Sequence, residues 1–336
     1  MPRRTALPPE LRHDSFTVAH GRASGVGEKR MRGADLSRPF RGVRSAGSDR
    51  ASFEGRCNAY ALILRPGEYF SHVTAARIWD APLPRSWSPA EAVHVSIPAP
   101  GRAARGALVR GHQLSDPGLR SIVRSGLPVS DPATTWLLLA ATLGHDALVA
   151  VGDYLVRVPP REDARRHPHI ELETLLSRVE ESRCWGIARA RRAIVNVREG
   201  ADSPQETFLR LALVRAGLPE PELNVEIPRA DGSLAARVDM FYRDQGVVVE
   251  YDGDQHRTDA AQYDRDISRI DELYRLGLAV VRIRDPQMRG AAAPAVQLVA
   301  RALRTRGWRS PAKFLPPDAL KPWIQGRWGQ KIQEEG

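Results

Sequence analysis

The segment Val247-Val-Val-Glu-Tyr251 most constrains what this chain can fold into. It is β-branched and apolar at every position up to Glu250, so it cannot leave either face in water. A strand of this kind belongs in the middle of a sheet, with helices on both faces. The flanking sequence supplies both. Ser203-Pro-Gln-Glu206 opens a helix, with Ser203 as N-cap, Pro204 in the first turn and Glu206 at the capping-box position. That helix carries Leu209, Leu213 and Val214 and stops at Gly217. Leu223–Ile227 and Ala236–Tyr242 read as strands around an Asp231-Gly232 turn, and Asp244-Gln-Gly246 turns the chain into the apolar strand. A helix capped by Thr258 or Asp259 follows, with Tyr263, Ile267, Ile270, Leu273 and Tyr274 as its apolar stripe, and Gly277 ends it. Leu278–Ile283 is a last strand and residues 294–305 a last helix. The order helix, three strands, helix, strand, helix predicts an α/β module with a mixed sheet flanked by helices.

Chemistry-bearing residues gather at one end of this pattern. Asp239 lies on the second strand, Glu250 and Asp252 at the end of the third, and Gly253 and His256 directly after. Glu250 and Asp252 are two apart and so project to one face. Clustered carboxylates on an apolar strand repel one another and need neutralising. A Mg²⁺ or Mn²⁺ ion does this, because hard cations select carboxylate and carbonyl oxygen. Such an ion activates water and stabilises charge on a phosphate, and His256 stands where it could orient that water. The alternative from the residues alone is an exposed acidic strand end with an ordinary glycine turn.

The pattern Asp239, Glu250-x-Asp252-Gly, His256, with Arg237-Val-Asp, Val248-Val-Glu-Tyr-Asp-Gly and Gly277-Leu-Ala-Val-Val-Arg-Ile around it, resembles the PD-(D/E)XK nuclease superfamily. Within it, the segment is most similar to the domain of unknown function related to very-short-patch-repair (Vsr) endonucleases. The resemblance covers about 100 residues. It implies a restriction-endonuclease-like sheet and Mg²⁺- or Mn²⁺-dependent cleavage of phosphodiester bonds. It also implies site residues Asp239, Glu250, Asp252, His256 and, from the opening helix, Glu206. Asp239, Glu250, Asp252 and the Tyr251 carbonyl would be metal ligands. The chain departs from the pattern in three places. Asp252 stands where the superfamily has Lys, Val238 stands where it has Pro, and Gln255-His256-Arg257 keeps only one His of the Vsr run.

Upstream, Ser71–Trp79 reads as a helix with Ser71 as N-cap, Asn58–Leu64 as another, and Ala92–Ile97 with Ala107–His112 as neighbouring strands. Ser130-Asp-Pro-Ala starts a strong helix, and residues 145–156 form the next. Two short helices followed by a strand pair suggest a small α+β, winged-helix-like domain. The segments His72-Val-Thr-Ala-Ala-Arg-Ile-Trp, His94-Val-Ser-Ile, Gly111-His and Gly126-Leu-Pro-Val-Ser-Asp-Pro-Ala-Thr-Thr resemble AbiEi-type antitoxins, regulators of type IV toxin–antitoxin systems. His72, His94 and His112 have no metal-ligand spacing and read as structural or surface residues. The domain order is then a basic disordered tail (1–50), the antitoxin-like domain (51–158), a helical linker (159–200), the nuclease-like domain (201–305) and a basic tail (306–336).

The net charge of +10 bears on partners. Residues 1–50 contribute 11 basic and 5 acidic side chains, and residues 301–336 contribute 8 and 3. Residues 201–285 hold 17 acids against 11 bases, so this module by itself repels a duplex. Basic tails either contact nucleic acid by counterion release or stay solvated. There is no apolar run of about 18 residues, so no membrane partner is expected. The N-terminus lacks an apolar secretory segment, and Cys57 and Cys184 form no disulfide framework, so a cytoplasmic location is expected. The expected function is metal-dependent endonucleolytic cleavage of DNA, in repair or defence. The alternative is a non-catalytic DNA-binding regulator or antitoxin-like protein built on a degenerate nuclease fold.

Overall fold

The computed structural model describes residues 6–47, 52–159, 168–253 and 260–309. His256, the helix cap at 258–259, most of the segment 159–168 and the tail beyond 309 lie outside the described residues. The chain is mixed α/β. It divides into two compact units: Met1–Thr142 with Arg178–Ile187, and Leu143–Ser177 with Ala188–Gly336. Among the described residues no helix is long and apolar enough to cross a membrane.

The first unit begins with a folded segment where disorder was expected. β1 (Ser15–Thr17) leads into α1 (Val18–Ala23) and α2 (Glu28–Met31), and β2 (Val43–Ser45) returns antiparallel to β1. Leu7, Leu11, Phe16, Val26, Met31 and Leu36 are buried together beneath it. The glycines and arginines mask this core in composition. Its apolar residues are too widely spaced for either helical or strand periodicity to show. Next come α3 (Phe53–Ala61), β3 (Tyr69–Phe70), α4 (His72–Ile78), β4 (Val93–Pro98), β5 (Arg105–Gly106), β6 (Val109–Leu114), β7 (Ser121–Arg124), β8 (Leu127–Ser130) and α5 (Pro132–Leu139). The strands form one six-stranded sheet in the order β5-β6-β4-β3-β8-β7. β4 and β6 are neighbours as expected, but they run parallel, so they make no wing hairpin. The Asp131 side chain caps α5 by accepting from Thr134 N at 2.7 Å. Every residue of α5 is buried, including Thr134 and Thr135, whose hydroxyls hydrogen-bond to Arg120 N and to Ser130.

The second unit starts earlier than the expected boundary at 158. α6 (His145–Val156) belongs to it, followed by α7 (Leu172–Glu181), which crosses the division, and α8 (Ile187–Ile194). α6 packs on α9 (Pro204–Arg215) through a buried ion pair that spacing along the chain does not reveal. Arg210 Nη2 lies 2.8 Å from Asp153 Oδ2, and both side chains are 1% exposed. Thr207 Oγ1 and Arg198 N also donate to Asp153, and Arg210 Nη2 donates to Asn196 O.

After α9 come β9 (Glu222–Pro228), β10 (Leu234–Tyr242), β11 (Val247–Tyr251), α10 (Ala260–Arg275), β12 (Ala279–Ile283) and α11 (Asp285–Thr305). This is the expected order. α11 is interrupted by non-helical backbone at Arg289–Ala292 and continues through residue 294, where the expected last helix begins. The sheet order is β12-β11-β10-β9, with β11 parallel to β12 and antiparallel to β10. The apolar strand β11 is therefore internal. Val247 and Val249 face a core with Leu209 and Leu213 of α9 and Val296, Val299 and Leu303 of α11. Val248 faces a second core with Leu273 of α10. Tyr274, expected on the α10 stripe, is 54% exposed.

Candidate active site

Asp239 lies inside β10, beside the end of the antiparallel strand β11 that carries Glu250, with Asp252 directly after it. Strand alternation alone does not place Asp239. Ala236 and Val238 pack on the α10 side, whereas Met240 and Tyr242 pack on the α9–α11 side. The strands β9 and β10 change faces between these residues. On β9 the change coincides with Asn224, whose φ of 48° is left-handed, a conformation asparagine tolerates better than most residues. Across from it, Asp239 Oδ2 accepts from Tyr251 N at 2.8 Å, which ties the aspartate to β11.

Glu206 is the capping acid expected of it. Glu206 N donates to Ser203 Oγ at 3.2 Å, the N-cap bond. In return its carboxylate takes Ser203 Oγ at 2.8 Å on Oε1, and on Oε2 Asp202 N at 2.9 Å and Asn224 Nδ2 at 3.3 Å. The side chain is thus an element of the cap and also a buried acid beside Asp239. Burial pushes the Glu206 carboxyl up to about 7, the Asp239 charge adds to this, and the bonds from Asp202 and Ser203 oppose it. Burial likewise pushes Asp239 up to about 6, against the Tyr251 N–H bond, with Glu250 raising it further and Arg269 lowering it.

Glu250 and Asp252 are neutralised by guanidinium groups. Arg269 of α10 grips both oxygens of Glu250, with Nη2 at 2.9 Å from Oε2 and Nη1 closer still on Oε1. Arg282 of β12, opposite Glu250 in the parallel register, donates to Asp252 Oδ2 at 2.7 Å, and Arg284 Nε donates to the same oxygen at 3.0 Å. The Tyr251 hydroxyl donates to Asp285 at the start of α11. Nearby, Asp202 is held by Arg157 at 3.0 Å and Arg237 at 2.9 Å.

The expected shell of Asp239, Glu250 and Asp252 around one ion is therefore not assembled. Among the described residues, only two groups of three potential ligands have all ligand atoms within 4.8 Å: His72/His94/His112 and Glu171/Glu173/Glu199. The carboxylate repulsion that would call for a cation is relieved at Glu250 and Asp252 by arginines. Among the described residues, Asp239 and Glu206 remain as buried acids without an arginine hydrogen-bond partner, and the Asp239 charge raises the Glu206 carboxyl further. His256 lies outside the described residues.

Sequence reasoning missed Arg269, Arg282, Arg284 and Asn224. One of them left a signal. Arg269 lies four residues before the buried Leu273, so a cation interrupts the apolar stripe of α10. His72, His94 and His112, which have no metal-ligand spacing along the chain, are brought together in the first unit.

No family model matches the chain, and no solved structure matches it. Two curated relatives, "Uncharacterized protein MT2308" and "Uncharacterized protein Rv2248" of Mycobacterium tuberculosis, are each 29% identical over 159 residues, 47% of this chain. The chain spans about half the length of these relatives, 55% in each case.

Proposed function

We propose that this protein acts on nucleic acid through a nuclease-type second unit, hydrolysing phosphodiester bonds of DNA with Mg²⁺ or Mn²⁺. The observation that carries this reading is the buried Glu206–Asp239 pair, held up to about 7 and about 6. Two acids kept near neutrality at the end of a central sheet are costly to fold and suited to proton transfer or cation capture. Asp239, oriented by Tyr251 N, would hold the ion together with Glu206. A bound divalent cation would supply Lewis acidity toward the phosphate and a more acidic water. His256 would position the attacking water.

Arg269 extends the reading to the residue the resemblance lacks. The chain has no Lys at 252, but a guanidinium from α10 reaches Glu250 in the same corner of the sheet. A cation there can face phosphate as well as carboxylate. DNA contacts would come from the basic segments, since residues 201–285 are net acidic.

The second reading is a non-catalytic DNA-binding regulator. The Arg282 and Arg284 bonds to Asp252, together with the Arg269 grip on Glu250, favour it, because they satisfy two of the expected ligands without metal. One experiment separates the two. Full-length protein is incubated with supercoiled and mismatched DNA and Mg²⁺ or Mn²⁺. The nuclease reading expects metal-dependent nicking that falls by at least ~100-fold in Asp239→Ala, the scale lost with a group that acts in the chemical step. Salt-sensitive binding without cleavage, unaltered in Glu250→Ala, identifies the regulator instead.

A further inference from the structure

The first unit holds a second cluster that the carboxylate site does not involve. His94 lies on β4 and His112 on the neighbouring parallel strand β6, where the register sets His94 beside Arg110 and Ser96 beside His112. The two imidazoles are therefore diagonal neighbours on one face. His112 Nε2 and His94 Nδ1 are 3.1 Å apart. His72, the first residue of α4, stacks on His112 with ring centroids 3.8 Å apart. One ring nitrogen from each of the three lies within 4.8 Å of the others.

The backbone goes out of its way to deliver His72. Its φ is 51°, in the left-handed region, unusual for a non-glycine residue at the first position of a helix. Strain of this sort is found where a side chain must be held in one place. A polar scaffold fixes it further. Ser71 N donates to His94 O at 3.0 Å, His94 N donates to Thr74 Oγ1 at 2.9 Å, and Ser96 Oγ donates to Ser71 Oγ at 2.6 Å. Ser71 Oγ in turn lies 2.9 Å from His72 Nδ1. With Nδ1–H donating to that hydroxyl, His72 presents Nε2 and its lone pair, the outer hydrogen bond that orients metal-binding histidines.

We propose that His72, His94 and His112 form a binding site for a borderline divalent transition metal of the Zn²⁺ class, with a fourth position open to water or a small anion. Neutral imidazole nitrogen selects such metals over Mg²⁺ or Ca²⁺. Bonds of about 2.0–2.1 Å in a tetrahedron set ligand nitrogens roughly 3.3 Å apart, close to the 3.1 Å His94–His112 pair, and a His72 nitrogen lies within 4.8 Å of both. Burial disfavours the charged form of all three rings, bringing His72 down to about 2 and His94 and His112 to about 4. One of the two facing nitrogens of His94 and His112 carries the proton of their hydrogen bond, and binding a metal between them moves that proton to the other nitrogen of the same ring. Arg110 beside the cluster opposes a bound cation, and the open fourth position lets an anionic ligand offset it. Three protein ligands and one open position match sites that bind or activate a small molecule, unlike the four-ligand structural sites.

The test uses the full chain, stripped with chelator and titrated with Co²⁺ and then Zn²⁺. The expected result is one Co²⁺ per chain with the visible absorption of a tetrahedral nitrogen-ligated ion, displaced by Zn²⁺ and unaffected by excess Mg²⁺. His94→Gln and His112→Gln, each shown to be folded by circular dichroism, should lose at least ~10-fold in affinity, in line with removal of a ligand. Asp239→Ala should keep the signal. Absence of stoichiometric binding, binding undiminished in both folded histidine variants, or loss of the signal in Asp239→Ala alone would overturn the proposal.

Discussion

Glu206 shows how one residue carries two constraints. As the capping acid of α9 it exchanges hydrogen bonds with Ser203, and as a buried acid it opposes Asp239. The carboxyls of both residues hold their protons more tightly in the folded chain than in the unfolded one, about 7 against 4.5 and about 6 against 3.8. Folding therefore takes up protons across this window, and the contribution of the pair to stability is full below the unfolded values and declines as pH rises toward about 7. This is opposite in sign to a salt-bridged carboxylate. Urea midpoints measured between these limits should fall with rising pH in the native chain. Glu206→Gln should remove the upper part of that fall and gain stability relative to the native chain near pH 8. A pH profile of Glu206→Gln parallel to the native one would show that the pair is solvated.

At the scale of elements, the site depends on α10 lying over β11. Glu250 is 5% exposed, and its charge is matched by Arg269. Removing that partner leaves a buried carboxylate, which costs roughly 3 kcal/mol, the lower end for buried pairs because the guanidinium side is about a third exposed. Arg269→Ala should lower the denaturation midpoint accordingly. The double variant Arg269→Met with Glu250→Leu should recover most of the loss, because two apolar groups replace two charges. Chemical denaturation of the four-member cycle measures the coupling directly. The helix–strand order from α9 to α11 was legible because β11 is apolar on both faces and its neighbours carry clear caps and turns. Arg269 was only half legible, as a charge interrupting a stripe, since its partner lies 19 residues away on another element.

At the scale of the whole molecule, the division of the chain follows buried charge as well as apolar periodicity. Arg210 and Asp153 join α9 to α6 and draw residues 145–156 into the second unit. Arg210→Met should destabilise this unit by about 3–5 kcal/mol, because Asp153 would stay buried without its cation. A thermal melt resolving two transitions should show the loss in one of them. The sequence by itself determined the α/β class, the internal strand Val247–Tyr251, the cap at Ser203 and the carboxylates Glu250 and Asp252 at the end of that strand. These depend on local periods and on neighbours three or four residues apart, which one-dimensional order records. The folded core of residues 6–47, the parallel pairing of β4 with β6 and the meeting of His72, His94 and His112 were decided only by tertiary structure. So was the choice of arginine partners for Glu250 and Asp252. Each joins groups far apart in the chain, and at that range the free energy of a contact depends on burial and geometry that spacing does not encode. The opening strand was legible because both of its faces must be buried. What neutralises the acids at its end was not, because carboxylates at a strand end accept a metal or a guanidinium equally well until the fold brings one of them close.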